Sequence, residues 1–254
     1  MLHLHASRRI QHLLTGIIIL AVSYIIPPYP AGFVSLVLTT LAFYQLHHKR
    51  TKDRDYDNWY LERFGGLLRE DERGEWMLIQ GENDRGGNHN KKYIRKSRPE
   101  LPGAFYFLLG TALSSAIFPE RIARTALLVL SVSDPFAGFI GVWFSKHHWN
   151  TSWTQLLEMV KHEGGDTNIK GNGPTIAGSV ACALSTLLCT YVYFPNSLAV
   201  DASDSTLMIP SRVIISVVTA IVEAGAGRCR ILPIDDNLLI PLVVGGLISW
   251  LADK

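Results

Sequence analysis

Cysteine is scarce in this chain. Only Cys182, Cys189 and Cys229 occur in 254 residues. There is no CxxC pair and no His/Cys set at ligand spacing. That excludes a disulfide framework and gives no sign of a zinc site. Cys182 and Cys189 fall at helical spacing in one apolar run, where a thiol serves as a small apolar group. An excess of one charge sign is also missing. Lys and Arg number 24 against 22 Asp and Glu, a net charge of +2. So even a balance offers no electrostatic footprint for nucleic acid, and no nucleic-acid partner is expected. Residues 195–210 hold no Lys or Arg, only Asp201 and Asp204 among the charges. No internal repeat is present. No Ser- and Arg-rich transit peptide and no retention tail are visible.

What is present is apolar sequence in long blocks, with the charges between them. Residues 10–27, 30–46, 103–118, 122–144, 175–194, 213–227 and 238–251 form these blocks. Each approaches the ~20 apolar residues that a helix needs to cross a bilayer core. In hydrocarbon every backbone group must be satisfied internally, so helices are the default. The expectation is an all-α, polytopic membrane protein with about seven crossings. Arg8 and Arg9 followed by an apolar stretch also look like a signal peptide. A second apolar block follows at once, so a helical hairpin with a Pro-rich turn at 27–30 fits better.

Lys and Arg decide the orientation, because cytoplasmic loops carry them in excess. With Arg8 and Arg9 in the cytosol, residues 1–46 make a transmembrane hairpin. Residues 47–102 then form a charged cytosolic segment that includes Lys49, Arg50, Lys52 and Arg54. Its middle, 81–90, reads as a flexible loop, and 56–68 as an interfacial helix. Residues 103–254 hold the remaining helices, with a second cytosolic loop at 145–173. The sequon at Asn150 falls on that side and is expected to be unglycosylated. Only Arg121, Arg124 and Lys254 oppose the rule.

Under this topology five polar constellations end at the cytosolic face. They are Arg8/Arg9/His12, residues 69–72, Asp134 with its neighbours, residues 171–179, and Glu223 with Asp236-Asn237. Asp134 lies inside an apolar run, and an ionisable group there reads as functional by default. The alternative is a cap on a half-helix that starts after a break at Pro135. Gly138 and Gly141 suit close helix packing, and Gly141 equally suits ligand contact. Thr175, Gly178 and Ser179 open a helix. They suit either a phosphate cradle of backbone amides and hydroxyls or an ordinary Thr cap. Glu223, Asp236 and Asn237 are hard ligands suited to a divalent cation carrying phosphates. Asp235 and Asp236 serve equally as helix caps. Arg9 and His12 are three apart and share a helix face, where they can meet a phosphate or a headgroup. Arg8 reads as a headgroup anchor.

These pieces, in this order, resemble the CTP-dependent lipid kinases: dolichol kinase, phytol kinase and the fungal-type diacylglycerol kinase. The family's Arg-Lys-x-x-His start is matched by Arg8-Arg9-Ile10-Gln11-His12. Its Leu-x-Arg-Glu-x-Glu segment resembles Leu68-Arg69-Glu70-Asp71-Glu72. Gly103-Ala104-Phe105-Tyr106, ending at Gly110, matches a Gly-Ala-x-Tyr-x-x-x-Gly span. Asp134, Ala137 and Gly141 match the central Asp-x-x-Ala-x-x-x-Gly signature. Thr175, Gly178 and Ser179 resemble a Lys-Thr-x-x-Gly-Ser element. Glu223, then Asp236-Asn237 and Pro241, match a final Glu and Asp-Asn-x-x-x-Pro.

The resemblance implies transfer of the γ-phosphate of CTP to a membrane lipid alcohol, with Mg2+ or another divalent cation as cofactor. It implies Asp134, Asp236 and Glu223 as catalytic residues, with Asp134 and Asp236 on the metal. Arg9, His12, Gly141, Lys146, Lys170, Thr175, Gly178, Ser179 and Asn237 are implied at nucleotide or phosphate. The chain departs from the pattern at two places. The family's Lys before Thr is Pro174, and the basic residue that often follows the signature Gly is Val142. Lys146 and Lys170 are near in sequence and can substitute. The expected location is the endoplasmic reticulum or a related endomembrane. Two other readings stand beside the kinase. One is phosphatidate cytidylyltransferase-like nucleotidyl transfer, whose closing Pro-Gly-His-Gly-Gly motif is absent. The other is a non-catalytic membrane protein or transporter.

Overall fold

The apolar blocks fold as helices. The computed structural model describes residues 2–68, 70–79, 92–97, 99–146, 175–193, 209–226 and 234–252. Its helices are α1 (Leu2–Ser23), α2 (Phe33–Lys52), α3 (Arg54–Phe64), α4 (Glu70–Arg73), α5 (Gly103–Ile117), α6 (Glu120–Lys146), α7 (Ile176–Tyr193), α8 (Ile209–Gly225) and α9 (Asp236–Ala252). All but α3 and α4 fall on the apolar blocks. Among the described residues, three stretches are long and apolar enough to cross a membrane: Pro28–Lys52, Glu120–Phe144 and Ile176–Tyr193. α5 and α9 are shorter apolar helices.

Local chemistry sets the ends. A turn at Pro28–Gly32, with Tyr29 in extended backbone, separates α1 from α2. Asp53 ends α2 and caps α3, accepting from the Tyr56 N–H at 3.0 Å. Such a cap contributes about 1 kcal/mol. The Pro119 carbonyl accepts from the Ala123 N–H at 2.9 Å and opens α6. Thr175 Oγ1 accepts from the Gly178 N–H at 3.1 Å and caps α7. Asp235 Oδ1 accepts from the Asn237 N–H at 3.0 Å and caps α9.

Two expectations need correction. The helix break at Pro135 does not occur, because α6 runs unbroken through Pro135. Pro removes one backbone donor, but neighbouring helices hold a membrane helix together around it. Here α6 is gripped by α1, α7, α9 and α5. Asp134 is therefore a mid-helix residue and caps nothing. The charged segment is also not wholly helical. β1 (Glu75–Ile79) and β2 (Lys92–Ser97) form an antiparallel ribbon, with Met77 opposite Ile94 and Ile79 opposite Lys92. Apolar and aromatic residues at strand-like spacing favour this pairing. The segment 81–90 and the sequon at Asn150 lie outside the described residues.

The core runs along α5, α6, α8 and α9 and includes Phe107, Leu130, Ile215, Ile240 and Val244. Hydroxyls point inward beside it. Ser133 of α6 and Thr186 of α7 share a 2.9 Å hydrogen bond, both side chains buried. Apolar side chains point outward: Ile18 is 61% exposed, Leu38 62% and Ile221 64%. Contiguous outward apolar faces over an inward polar seam mark a surface made for lipid. The two arginines that break the charge rule are tied into the fold. Arg124 donates to the Ser23 hydroxyl at 3.0 Å and to its carbonyl, and pairs with Glu120 at 2.5 Å. Arg121 donates to the Tyr193 carbonyl at 3.2 Å.

A buried ion pair fixes the charged segment against the helices. Arg50 Nε donates to Asp57 Oδ1 at 2.9 Å, and the two side chains are 1% and 0% exposed. Trp76 Nε1 donates to the other Asp57 oxygen at 2.8 Å. Arg50 also donates to the carbonyls of Glu72 and Arg73 at 3.3 Å and lies over the Tyr60 ring. Burial raises the Tyr60 phenol above its ordinary pKa, and the Arg50 charge opposes this. Arg50 thus links α2 to α3, α4 and β1.

Candidate functional site

Asp134 projects from the middle of α6 toward α1. Its Oδ2 faces His12 Nδ1 at 3.5 Å, and the His12 side chain is 11% exposed. Arg9, one turn earlier on α1, feels the charges of both Asp134 and Glu223. The guanidinium has room because residue 138 is glycine: a Cβ there would overlie Arg9 Nε, Cζ and Nη2. Gly138 is thus a notch for Arg9. His12 is held from its other side by Phe107, edge-on at 4.6 Å.

A second cluster adjoins the first. Glu72 Oε1 accepts from the Gly103 N–H at 2.9 Å and lies 4.0 Å from Arg8. A Cβ on Gly103 would meet Arg8 Nη2 at 2.9 Å and Asn237 Nδ2 at 3.3 Å. Close approach at this glycine brings α1, α4, α5 and α9 together. Asn237 is buried. Its Nδ2 donates to Asp235 Oδ1 at 2.7 Å, and its Oδ1 accepts no hydrogen bond among the described residues. A buried acceptor of this kind is open to a ligand's donor.

Three carboxylates from three helices share one neighbourhood. Glu223 of α8, Asp134 of α6 and Asp236 of α9 all act electrostatically on Cys182 of α7. Asp235 and Asp236 share the capping: the Asn237 N–H donates to Asp235 Oδ1 at 3.0 Å and to Asp236 Oδ1 at 2.9 Å, and Asp235 also accepts from the Asn237 side chain. Thr175, Gly178 and Ser179 sit at the start of α7 against α6. Thr175 Oγ1 would lie 2.8 Å from a Cβ on Gly141, and the Ala137 carbonyl 2.9 Å from one on Gly178. These two glycines bring α6 and α7 into contact, and the Thr175 hydroxyl is engaged as a cap. Lys170 lies outside the described residues, as does the Lys146 side chain.

Among the described residues no group of three or more His, Cys, Asp or Glu side chains can hold a metal ion. A magnesium ion carried by nucleotide phosphates needs only one or two protein carboxylates. Asp134 and Asp236 are carboxylates, and their oxygen-donor chemistry fits that sparser set.

Beside the polar groups lies a cavity of about 370 Å³ between α1, α2, α3 and α5. Arg8, His12 and Glu72 line it at one side, and Tyr56, Trp59 and Phe64 at another. Sequence reasoning left Glu72 and Arg8 out of the site. The signal for Glu72 was the Leu-x-Arg-Glu-x-Glu likeness, whose last residue it is.

No protein-family model and no solved structure matches the chain. Among curated proteins it is similar to CTP-dependent diacylglycerol kinase 1 of Schizosaccharomyces pombe, 25% identical over 147 residues. The match covers 56% of this chain and 56% of that relative's length. This likeness supports the CTP-dependent lipid kinase family.

Proposed function

We propose that the chain is a CTP-dependent lipid kinase. It transfers the γ-phosphate of CTP to the hydroxyl of a membrane lipid alcohol. Diacylglycerol is the acceptor that the relative's name indicates; dolichol and phytol are the other acceptors of the resembling kinases. The observation that carries the reading is the meeting of α1 and α6, where His12 faces Asp134 across 3.5 Å and Arg9, one turn away, feels the Asp134 charge. A cation, an imidazole and a carboxylate at the edge of a lipid-facing bundle suit phosphoryl transfer to a lipid hydroxyl.

Phosphoryl transfer needs in-line positioning and charge stabilisation more than covalent chemistry. The lipid hydroxyl oxygen bonds to the γ-phosphorus, and the bond from that phosphorus to the β-bridging oxygen breaks. CDP leaves. The hydroxyl proton passes to Asp134, directly or through His12. Arg9 and Arg8 offset the charge on the transferring group. Asp134 and Asp236 would hold a divalent cation, which when bound neutralises phosphate charge. Asn237 and Glu223 border the nucleotide. Thr175, Gly178, Ser179 and Gly141 set the α6–α7 contact beside the phosphates. The positive charge missing at Pro174 and Val142 comes from Arg9 and Arg8, with Lys146 and Lys170.

In this reading residues 1–46 form a membrane hairpin, 47–102 a cytosolic segment and 103–254 the catalytic helices. The protein crosses an endomembrane several times, with the site at the cytosolic face where CTP is present. The test is phosphate transfer in membranes that express the chain. Diacylglycerol, dolichol and phytol are offered with labelled CTP or ATP. CTP-dependent label in one acceptor is expected. No label in any acceptor, with the chain expressed and inserted, would refute the proposal.

A further inference from the structure

We infer that the cavity between α1, α2, α3 and α5 is where the acceptor lipid binds, hydroxyl end inward, with α3 as its aromatic wall. The inference rests on the kinase reading and gives the acceptor half of that site a place in the fold. A volume of about 370 Å³ lies within the range of small-molecule pockets, roughly 300–1,000 Å³. Its surroundings are divided by chemistry. Phe43, Leu46 and Leu67 give apolar contact, while Tyr56 and Trp59 carry rings with polar tips. Rings of this kind favour membrane interfaces, where one end is apolar and the other wet. Arg8, Gln11, His12 and Glu72 form the polar part.

His12 joins the cavity to the chemistry. It lines the cavity and also faces Asp134 at 3.5 Å. A hydroxyl resting against His12 therefore lies beside the carboxylate assigned to its proton. The lipid tails need not fit inside. Leu14 and Leu41, 52% and 53% exposed on α1 and α2, offer them an apolar path into the bilayer. A second cavity, of about 150 Å³, lies around Ile18, Val22, Pro28 and Arg124. Its nearest lining residue on α1, Ile18, is six residues beyond His12, about 9 Å along a helix. A hydroxyl held there is out of reach of Asp134.

The donors also select the acceptor. Gln11, Tyr56 and Trp59, each carrying an N–H or O–H donor, line the cavity. An acceptor with ester carbonyls next to its hydroxyl can satisfy them. A polyprenol brings only the hydroxyl and can make fewer of these hydrogen bonds.

The experiment uses a diacylglycerol with a diazirine near the glycerol, in vesicles holding the full-length protein. After photolysis, labelled residues are mapped by mass spectrometry. Label is expected on α3 and on the first turns of α5, with or without CTP, and equally in Asp134→Asn. Ala104→Phe fills the cavity from an exposed position on the first turn of α5. It is expected to cut labelling and raise KM for diacylglycerol at least fivefold, with KM for CTP within twofold. Trp59→Ala, at a 40% exposed position, serves as a second variant and should act in the same direction. Label concentrated around Ile18 and Val22 would overturn the inference, as would unchanged labelling and KM in both variants. Label on α3 from a wild-type chain that transfers no phosphate would uphold the lipid site and refute the kinase reading alone.

Discussion

Gly138→Ala isolates the role of Arg9 without replacing any charged residue. The added Cβ would overlie the Arg9 guanidinium. Ordinary carbon contact needs about 3.5–4.0 Å, so the guanidinium must retreat by roughly 1 Å. It can do so, because it is the free end of a flexible side chain. The fold should survive, with thermal unfolding in detergent almost unchanged. Transfer should not survive intact. A misplacement of about 1 Å in a positioning group costs on the order of 100-fold in rate, or about 2.7 kcal/mol. Gly246→Ala is the control: nothing lies within 4 Å of a Cβ there. It should leave transfer unchanged and stabilise α9 by about 0.5–1 kcal/mol. The assay is CTP-dependent phosphorylation of diacylglycerol, run with a melting curve on the same preparation. If Gly138→Ala keeps transfer within twofold of wild type, Arg9 is not positioned by that notch and the reasoning fails.

Three further outcomes are expected. Asp134→Asn should insert normally yet lose about 10²–10⁴-fold in turnover, the usual contribution of a positioned proton acceptor; normal turnover would remove Asp134 from the chemistry. Arg50→Met should lower the melting temperature sharply, because it leaves the buried Asp57 carboxylate without its 2.9 Å partner. Breaking a buried pair costs about 3–5 kcal/mol, and changing both residues to apolar ones should recover part of it. A chelator should abolish transfer and added Mg2+ restore it; transfer that continues in excess chelator would rule out the cation role of Asp134 and Asp236.

The helices were readable from the sequence because lipid imposes length and composition on them. The interruption weighed at Pro135 as an alternative does not occur. Local backbone rules predict a break there, while packing on several sides of α6 keeps the helix whole. The charged segment was legible in outline only. Arg50 looked like a topological signal, yet it is buried against Asp57, a partnership that no local pattern displays. Glu72 illustrates the same gap: its contact with Gly103 spans 31 residues of sequence. Arg121 and Arg124 opposed the charge rule for a reason visible only in three dimensions, where both hydrogen-bond to other helices. Between Asp235 and Asp236 the sequence offered no choice, and the structure uses both, each accepting from the Asn237 N–H. The meeting of His12 with Asp134, and Arg9 beside it, was foreshadowed by helical spacing and by the cost of an intramembrane carboxylate. The notch at Gly138 was not, because it depends on how α1 and α6 cross.

The central claim is γ-phosphoryl transfer, and the position of the label in CTP tests it most directly. Membranes bearing the chain would receive diacylglycerol or phosphatidate with either γ-labelled or α-labelled CTP. The account predicts label in diacylglycerol from the γ position and none in any lipid from the α position. Label from the α position in phosphatidate would make the protein a cytidylyltransferase. Label from neither, in an inserted and stable protein, would contradict an enzymatic role.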